Sequence, residues 1–156
     1  MKTNNALTYL TVLICTTSLF NCINSYTVEQ VKIDFSKPIK TFTAGELKKY
    51  DGSQEGKPIY MAIKGVVFDV SAGRDFYGKG TAYNALAGLD CSRAVAKMSL
   101  DASDLNNDLT GLTDQQLKSL DDTFKGTYVA KYPIAGYMNY LVREQKLRQQ
   151  QVNDEL

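Results

Sequence analysis

Apolar residues along this chain fall into short runs separated by turn-forming residues, and the pattern changes character from one run to the next. Ile59-Tyr60-Met61-Ala62-Ile63 and Val66-Val67-Phe68-Asp69-Val70 flank Lys64-Gly65, the signature of two short strands joined by a tight turn. Thr43-Ala44-Gly45-Glu46 is a capping box, in which the threonine hydroxyl and the glutamate carboxylate each take a free backbone N–H of the other residue. With Phe42 placed to staple onto Leu47, it predicts a short helix reaching about Tyr50. A second box, Thr113-Asp114-Gln115-Gln116, stapled by Leu112 and Leu117, predicts a helix to about Phe124 that Gly126 ends. Thr127-Tyr128-Val129-Ala130-Lys131-Tyr132 alternates, which predicts a closing strand stopped by Pro133. Between these, Ser71 to Gly88 reads as a shaped loop, Ala94 to Met98 as a short helix and Asp101 to Gly111 as a polar connection.

The ends differ from the middle. Lys2, the mostly apolar stretch from Ala6 to Phe20 and the polar residues Asn21 to Ser25 match the zones of a secretory signal peptide, with cleavage expected after Ser25. The apolar stretch is diluted by Thr8, Thr11, Thr16 and Thr17, so an uncleaved membrane anchor is the weaker reading. Tyr26 to Lys40 show no strong periodicity and predict an extended arm. Leu141 to Gln151 are charged and glutamine-rich, helical by propensity but with little to pack, which predicts a solvated extension. The chain thus reads as a leader over 1–25, an arm over 26–41, one domain over 42–136 and a charged tail over 137–156. That tail ends Asn153-Asp154-Glu155-Leu156, close to the Lys-Asp-Glu-Leu retrieval signal, so an endoplasmic reticulum lumen or secreted address is expected.

Composition narrows the chemistry. With 44% hydrophobic and 22% charged residues, the chain of 156 residues has the make-up of a globular domain. Eighteen Lys and Arg against seventeen Asp and Glu offer no field for nucleic acid. Histidine is absent, which excludes Ser-His-Asp and Cys-His catalysis, imidazole-dependent zinc sites and any haem held by histidine. Cys15 and Cys22 leave with the leader, so Cys91 stands alone, without an internal disulfide, and reads as a small buried filler.

Two familiar spacings fail on inspection. Gly73, Gly78 and Lys79 match a phosphate-binding loop, but Gly80 stands where that loop needs a hydroxyl for magnesium. Asp104, Asn106 and Asp108 alternate as in a calcium loop, yet Leu109 replaces its glycine and Gln115 its bidentate glutamate.

Tyrosine placement is more telling, with Tyr77 and Tyr83 bracketing Gly78-Lys79-Gly80 and Lys131-Tyr132 near the far end of the domain. Taken alone, such tyrosines are as readily core or interface. The ordered set Phe42-Thr43-Ala44-Gly45-Glu46-Leu47, Pro58-Ile59-Tyr60, Lys64 to Val70, Phe76-Tyr77-Gly78, Gly80, Tyr83, Ala87-Gly88, Asp90, Ser92-Arg93 and Lys131-Tyr132-Pro133 resembles the cytochrome b5-like haem/steroid-binding domain of the membrane-associated progesterone receptor family. Within that family the chain looks most like the secreted neudesin branch, on Val95 to Asp101, Leu109 to Thr113, the leader and the tail.

The resemblance implies an α+β fold, a small mixed sheet with paired short helices forming a haem pocket. It implies haem b as cofactor, with Tyr83 as axial ligand to the iron and Tyr77, Lys131 and Tyr132 as supporting pocket residues. A ferric ion stabilises a phenolate, so such ligation favours oxidised iron and disfavours electron shuttling. In this reading Tyr77 tunes the phenolate by hydrogen bonding, while Lys131 and Tyr132 meet a propionate. The expected function is a non-enzymatic haem-binding protein of the secretory pathway that signals through contacts with an unidentified protein partner or receptor. A steroid or small lipid and a haem-mediated homodimer stay open as further partners. The alternatives are a haem-independent interaction domain and an electron-transfer partner of haem enzymes.

Overall fold

Residues 25–154 are described by a computed structural model. The leader up to Asn24, with Cys15 and Cys22, and the final two residues of the retrieval-like tail lie outside them. Strands β1 (Thr41–Phe42), β2 (Tyr60–Ile63), β3 (Val66–Asp69) and β4 (Ile134–Met138) form one mixed sheet in the order β1-β4-β3-β2. The β2–β3 hairpin pairs Met61 with Phe68 and Ile63 with Val66, as its alternation requires. Lys64 and Gly65 turn it with φ of +54° and +73°, the two left-handed residues that keep the turn in step with strand twist. β4 then pairs antiparallel with β3 and parallel with β1.

Alternation sends the two sets of strand side chains into separate cores. Met61, Ile63, Val66 and Phe68 join Leu86, Ala94, Val95, Leu120 and Phe124 on one face. Ala62 and Val67 join Phe42, Leu47 and Met138 on the other. The helices are α1 (Ala44–Leu47), α2 (Arg74–Tyr77), α3 (Ser92–Lys97), α4 (Asp114–Thr123) and α5 (Asn139–Asp154). Both capping boxes form. The Thr43 N–H donates to Glu46 Oε2 at 2.8 Å and the Thr113 N–H to Gln116 Oε1 at 3.0 Å.

Two expectations are corrected. Residues 127–132 are not a strand, and Gly126 does not end the helix. α4 runs on as a π-helical turn over Phe124–Val129, and Pro133 separates this helical segment from β4. The alternation there conceals a spacing of four, Phe124, Tyr128 and Tyr132, of which the first two rings pack against Phe68 and the third against Tyr128. Burying the Phe124 and Tyr128 rings, with Tyr132 half-buried beside them, outweighs the weak strand preference of Thr127 and Val129.

The tail is likewise more than a solvated extension. Leu141 and Val142 of α5 are buried, and a Cβ on Gly65 would lie 2.9 Å from the Leu141 Cβ. The N-terminal arm lies along α5: Gln145 accepts from the Ile33 N–H at 3.1 Å and donates to the Val31 carbonyl at 2.6 Å. Farther back, Asp121 of α4 binds the arm through the Tyr26 hydroxyl at 2.7 Å and the Glu29 N–H at 2.8 Å, while its other oxygen takes the Lys64 ammonium. The outer half of α5 stays exposed, at Leu147 and Val152. No helix among the described residues is long and apolar enough to cross a membrane.

Candidate functional site

Three segments converge on one cleft of about 330 Å³. α2 and the turns after it supply Tyr77, Tyr83 and Leu86. α3 and its exit supply Ala94, Val95, Met98, Ser99 and Leu100. α4 and the π-helical turn supply Thr123 and Tyr128. The volume falls in the range of small-molecule sites, which run from about 300 Å³ upward, and an apolar lining with a few polar atoms is typical of them.

Each wall is pinned. On the first, the Tyr83 N–H donates to the Phe76 carbonyl at 2.9 Å, and Asn84 Nδ2 donates to the Tyr77 and Asp51 carbonyls at 2.9 Å each. On the second, Asp104 is buried and accepts from Arg93 Nε at 3.1 Å and Lys97 Nζ at 2.6 Å, tying the loop after Leu100 back to α3. The Asp104 carboxylate that resembled a calcium ligand in sequence therefore serves two cations of α3.

The phenols divide by burial. Tyr77 is 7% exposed, and its hydroxyl lies 3.3 Å from that of Tyr128, which is 6% exposed. Burial, and then the Tyr128 hydroxyl, push the Tyr77 phenol well above its ordinary range, and burial pushes Tyr128 up to about 12. Both stay protonated at physiological pH. Tyr132 packs edge-on against Tyr77, with ring centroids 6.2 Å apart, and tilted against Tyr128 at 5.9 Å. Gly73 leaves room for this cluster, because a Cβ there would sit 3.0 Å from the Tyr132 hydroxyl and 3.1 Å from the Tyr77 ring. Tyr83 differs. Its ring lies 6.3 Å from that of Tyr77, yet it is 45% exposed on the cleft rim.

Of the four tyrosine and lysine positions expected at a site, the structure brings Tyr77 and Tyr83 to the cleft and sets Tyr132 behind Tyr77. Lys131 is exposed and does not line the cleft. Tyr128 is a lining residue that the sequence hides, because the alternation of its segment predicts a strand; its spacing of four from Phe124 and Tyr132 is the signal that marks it.

Residues 43–138, well over half of the chain, match the family described as "Cytochrome b5-like Heme/Steroid binding domain". The chain belongs to that family. This cytochrome b5-like domain is 48% identical over 95 residues to "Probable steroid-binding protein 3" of Arabidopsis thaliana, covering 61% of this chain and 94% of that one. It is 46% identical over 103 residues to "Membrane steroid-binding protein 2" of Oryza sativa subsp. japonica, covering 66% of this chain and 38% of the relative. It is 36% identical over 95 residues to "Neuferricin homolog" of Caenorhabditis elegans, covering 61% of this chain and 29% of that protein. The chain thus spans well under half the length of these last two. The solution structure of a putative steroid-binding protein from Arabidopsis superposes with a TM-score of 0.59 at 46% identity, covering 65% of this chain and 98% of that one. The cytochrome b5-like α+β architecture with its mixed sheet is the fold expected from the sequence. The arm over residues 26–41 and all of α5 lie outside the matched span.

The donor set at the cleft suits a haem whose iron takes an oxygen ligand. The sequence contains no histidine, and Cys91 is fully buried, its thiol pushed well up by burial, so neither imidazole nor thiolate competes. Tyr83 offers a phenol at the solvent edge, and Leu86, Ala94, Val95 and Leu100 offer apolar surface for a flat ring.

Proposed function

We propose that this domain binds haem b in the ferric state through Tyr83 and acts without catalysis, by haem-dependent contacts with another protein. The observation that carries the reading is the setting of one exposed phenol, Tyr83, beside a buried, hydrogen-bonded phenol pair, Tyr77 and Tyr128, in a chain free of histidine. Bound haem supplies a cationic ferric centre that stabilises a phenolate. Tyr83, on the rim, presents the one accessible phenol oxygen of the cleft and would hold the iron. Tyr77 and Tyr128 stay neutral and so act as hydrogen-bonding neighbours rather than rival ligands. Tyr132 braces Tyr77, and Lys131, exposed one residue earlier, would pair with a haem propionate. A hard anionic ligand lowers the reduction potential, which argues for binding and signalling over electron transfer. The leader and the Asn-Asp-Glu-Leu tail support a secretory address, lumenal or extracellular.

A second reading is favoured by the apolar wall of the cleft and by relatives named as steroid-binding proteins. In it, a steroid or small lipid occupies the same space. Titration with ferric haem, followed by its Soret and charge-transfer bands, tests the first reading against the second. The expected result is saturable binding that the Tyr83→Phe variant loses or shifts spectrally. An unchanged spectrum in Tyr83→Phe removes Tyr83 as ligand, and displacement of haem by progesterone would show that both readings share one cleft.

A further inference from the structure

Met98 is the C-terminal cap of α3, directly after Lys97, and its position is unusual on three counts. It lines the cleft, it is 87% exposed, and its backbone sits in the left-handed region at φ +51° and ψ +43°. Left-handed backbone disfavours residues other than glycine and asparagine, and a long apolar side chain gains nothing from standing in water. The α3 cap would be better served by glycine. Its N–H closes the helix on the Ala94 and Val95 carbonyls, so the Cα is held in place while the thioether is free to reach the cleft mouth beside Leu100.

The other described methionines are shielded, Met61 at 0% and Met138 at 4% exposure, and the thiol of Cys91 is at 0%. Among the described residues, Met98 is thus the one sulfur that a water-borne oxidant meets. Oxidation to the sulfoxide turns a flexible apolar group into a polar one.

We propose that Met98 is a redox-sensitive modification site that controls occupancy of the cleft: its thioether covers the bound apolar ligand, and oxidation by a hydroperoxide weakens that ligand's hold. In the step one oxygen atom passes from hydrogen peroxide to the sulfur, which gives up two electrons, forming the sulfoxide and releasing water. A methionine sulfoxide reductase reverses it with two electrons and two protons from a dithiol. The proposal rests on the reading that the cleft holds a flat apolar ligand.

The experiment oxidises ligand-free protein with hydrogen peroxide, removes the oxidant, and reads two quantities. Peptide mass spectrometry should find one added oxygen on Met98 before any on Met61 or Met138. Ferric haem should then bind about tenfold more weakly, the loss expected when a buried methionine contact becomes polar. Met98→Leu should show the same haem affinity before and after peroxide treatment, while Met98→Gln should bind more weakly than the untreated parent without any peroxide. Oxidation that spares Met98, unchanged affinity of the oxidised protein, or an equal loss in Met98→Leu would overturn the proposal. If untreated protein fails to bind haem, the haem reading fails separately. The same three comparisons made with the apolar dye ANS then decide the Met98 proposal, and an ANS response indifferent to Met98→Gln rejects it.

Discussion

The hydroxyls of Tyr77 and Tyr128 meet at 3.3 Å although 51 positions separate the residues in the chain. One belongs to the short helix α2 and the other to the π-helical turn after α4, so this contact ties together two walls of the cleft. Removing either hydroxyl strands the other in a buried site. Tyr77→Phe and Tyr128→Phe should each cost about 1 kcal/mol, or about 4 °C in Tm, and the double variant should cost less than the sum of the two. Thermal melts of the three variants measure the coupling.

Gly73→Ala tests how tightly the phenol cluster is packed. The new methyl would stand 3.0 Å from the Tyr132 hydroxyl and 3.1 Å from the Tyr77 ring, closer than either can accept without shifting. The expected cost is about 1–2 kcal/mol, with altered ring resonances for Tyr77 and Tyr132 in NMR spectra. A melt unchanged from the parent would show that the cluster has slack.

Lys64 and Asp121 form a buried ion pair, 7% and 2% exposed at their side chains. Burial pushes the Asp121 carboxyl up, but the Lys64 ammonium, the Glu29 N–H and the Tyr26 hydroxyl together outweigh it and hold the group below its ordinary range. A carboxyl depressed on folding contributes stability above its unfolded pKa of about 3.9 and loses it as pH falls through the folded value. Stability should therefore be level between neutral pH and about pH 5 and decline in more acid solution. Asp121→Asn should cost about 3 kcal/mol at neutral pH, flatten that decline, and speed proteolysis of the arm at Tyr26 to Glu29.

Leu141→Ala asks whether α5 is part of the domain. Its side chain is buried against the hairpin turn, so the substitution should cost about 2–3 kcal/mol, a loss that a solvated extension would not show. Gly65→Ala approaches the same contact from the other side and adds the strain of a positive φ; it should destabilise by at least about 1 kcal/mol in urea melts.

Where local signals were self-sufficient, they were legible. The two capping boxes are satisfied within four residues each, and the Lys64-Gly65 turn is specified by its own backbone demands, so no distant partner had to be known. The failures came where a segment's partner lies far along the chain. Tyr128 is helical and Tyr132 turns in beside it because Phe68 and Tyr77 wait for their rings, and Leu141 is buried because the hairpin turn covers it. Val31, Ile33 and Phe35 in the arm do alternate, but the alternation acquires meaning only beside Gln145.

The order of residues alone determined the family, the absence of imidazole and the candidate tyrosines, because ligand chemistry depends on which side chains exist. Tertiary structure decided which of those phenols is wet. Tyr77 and Tyr83 are six residues apart and chemically identical, yet packing against Tyr128 and Tyr132 buries the first and leaves the second on the rim. That division between a neutral interior phenol and an accessible one comes from desolvation, which depends on neighbours brought from the other end of the domain.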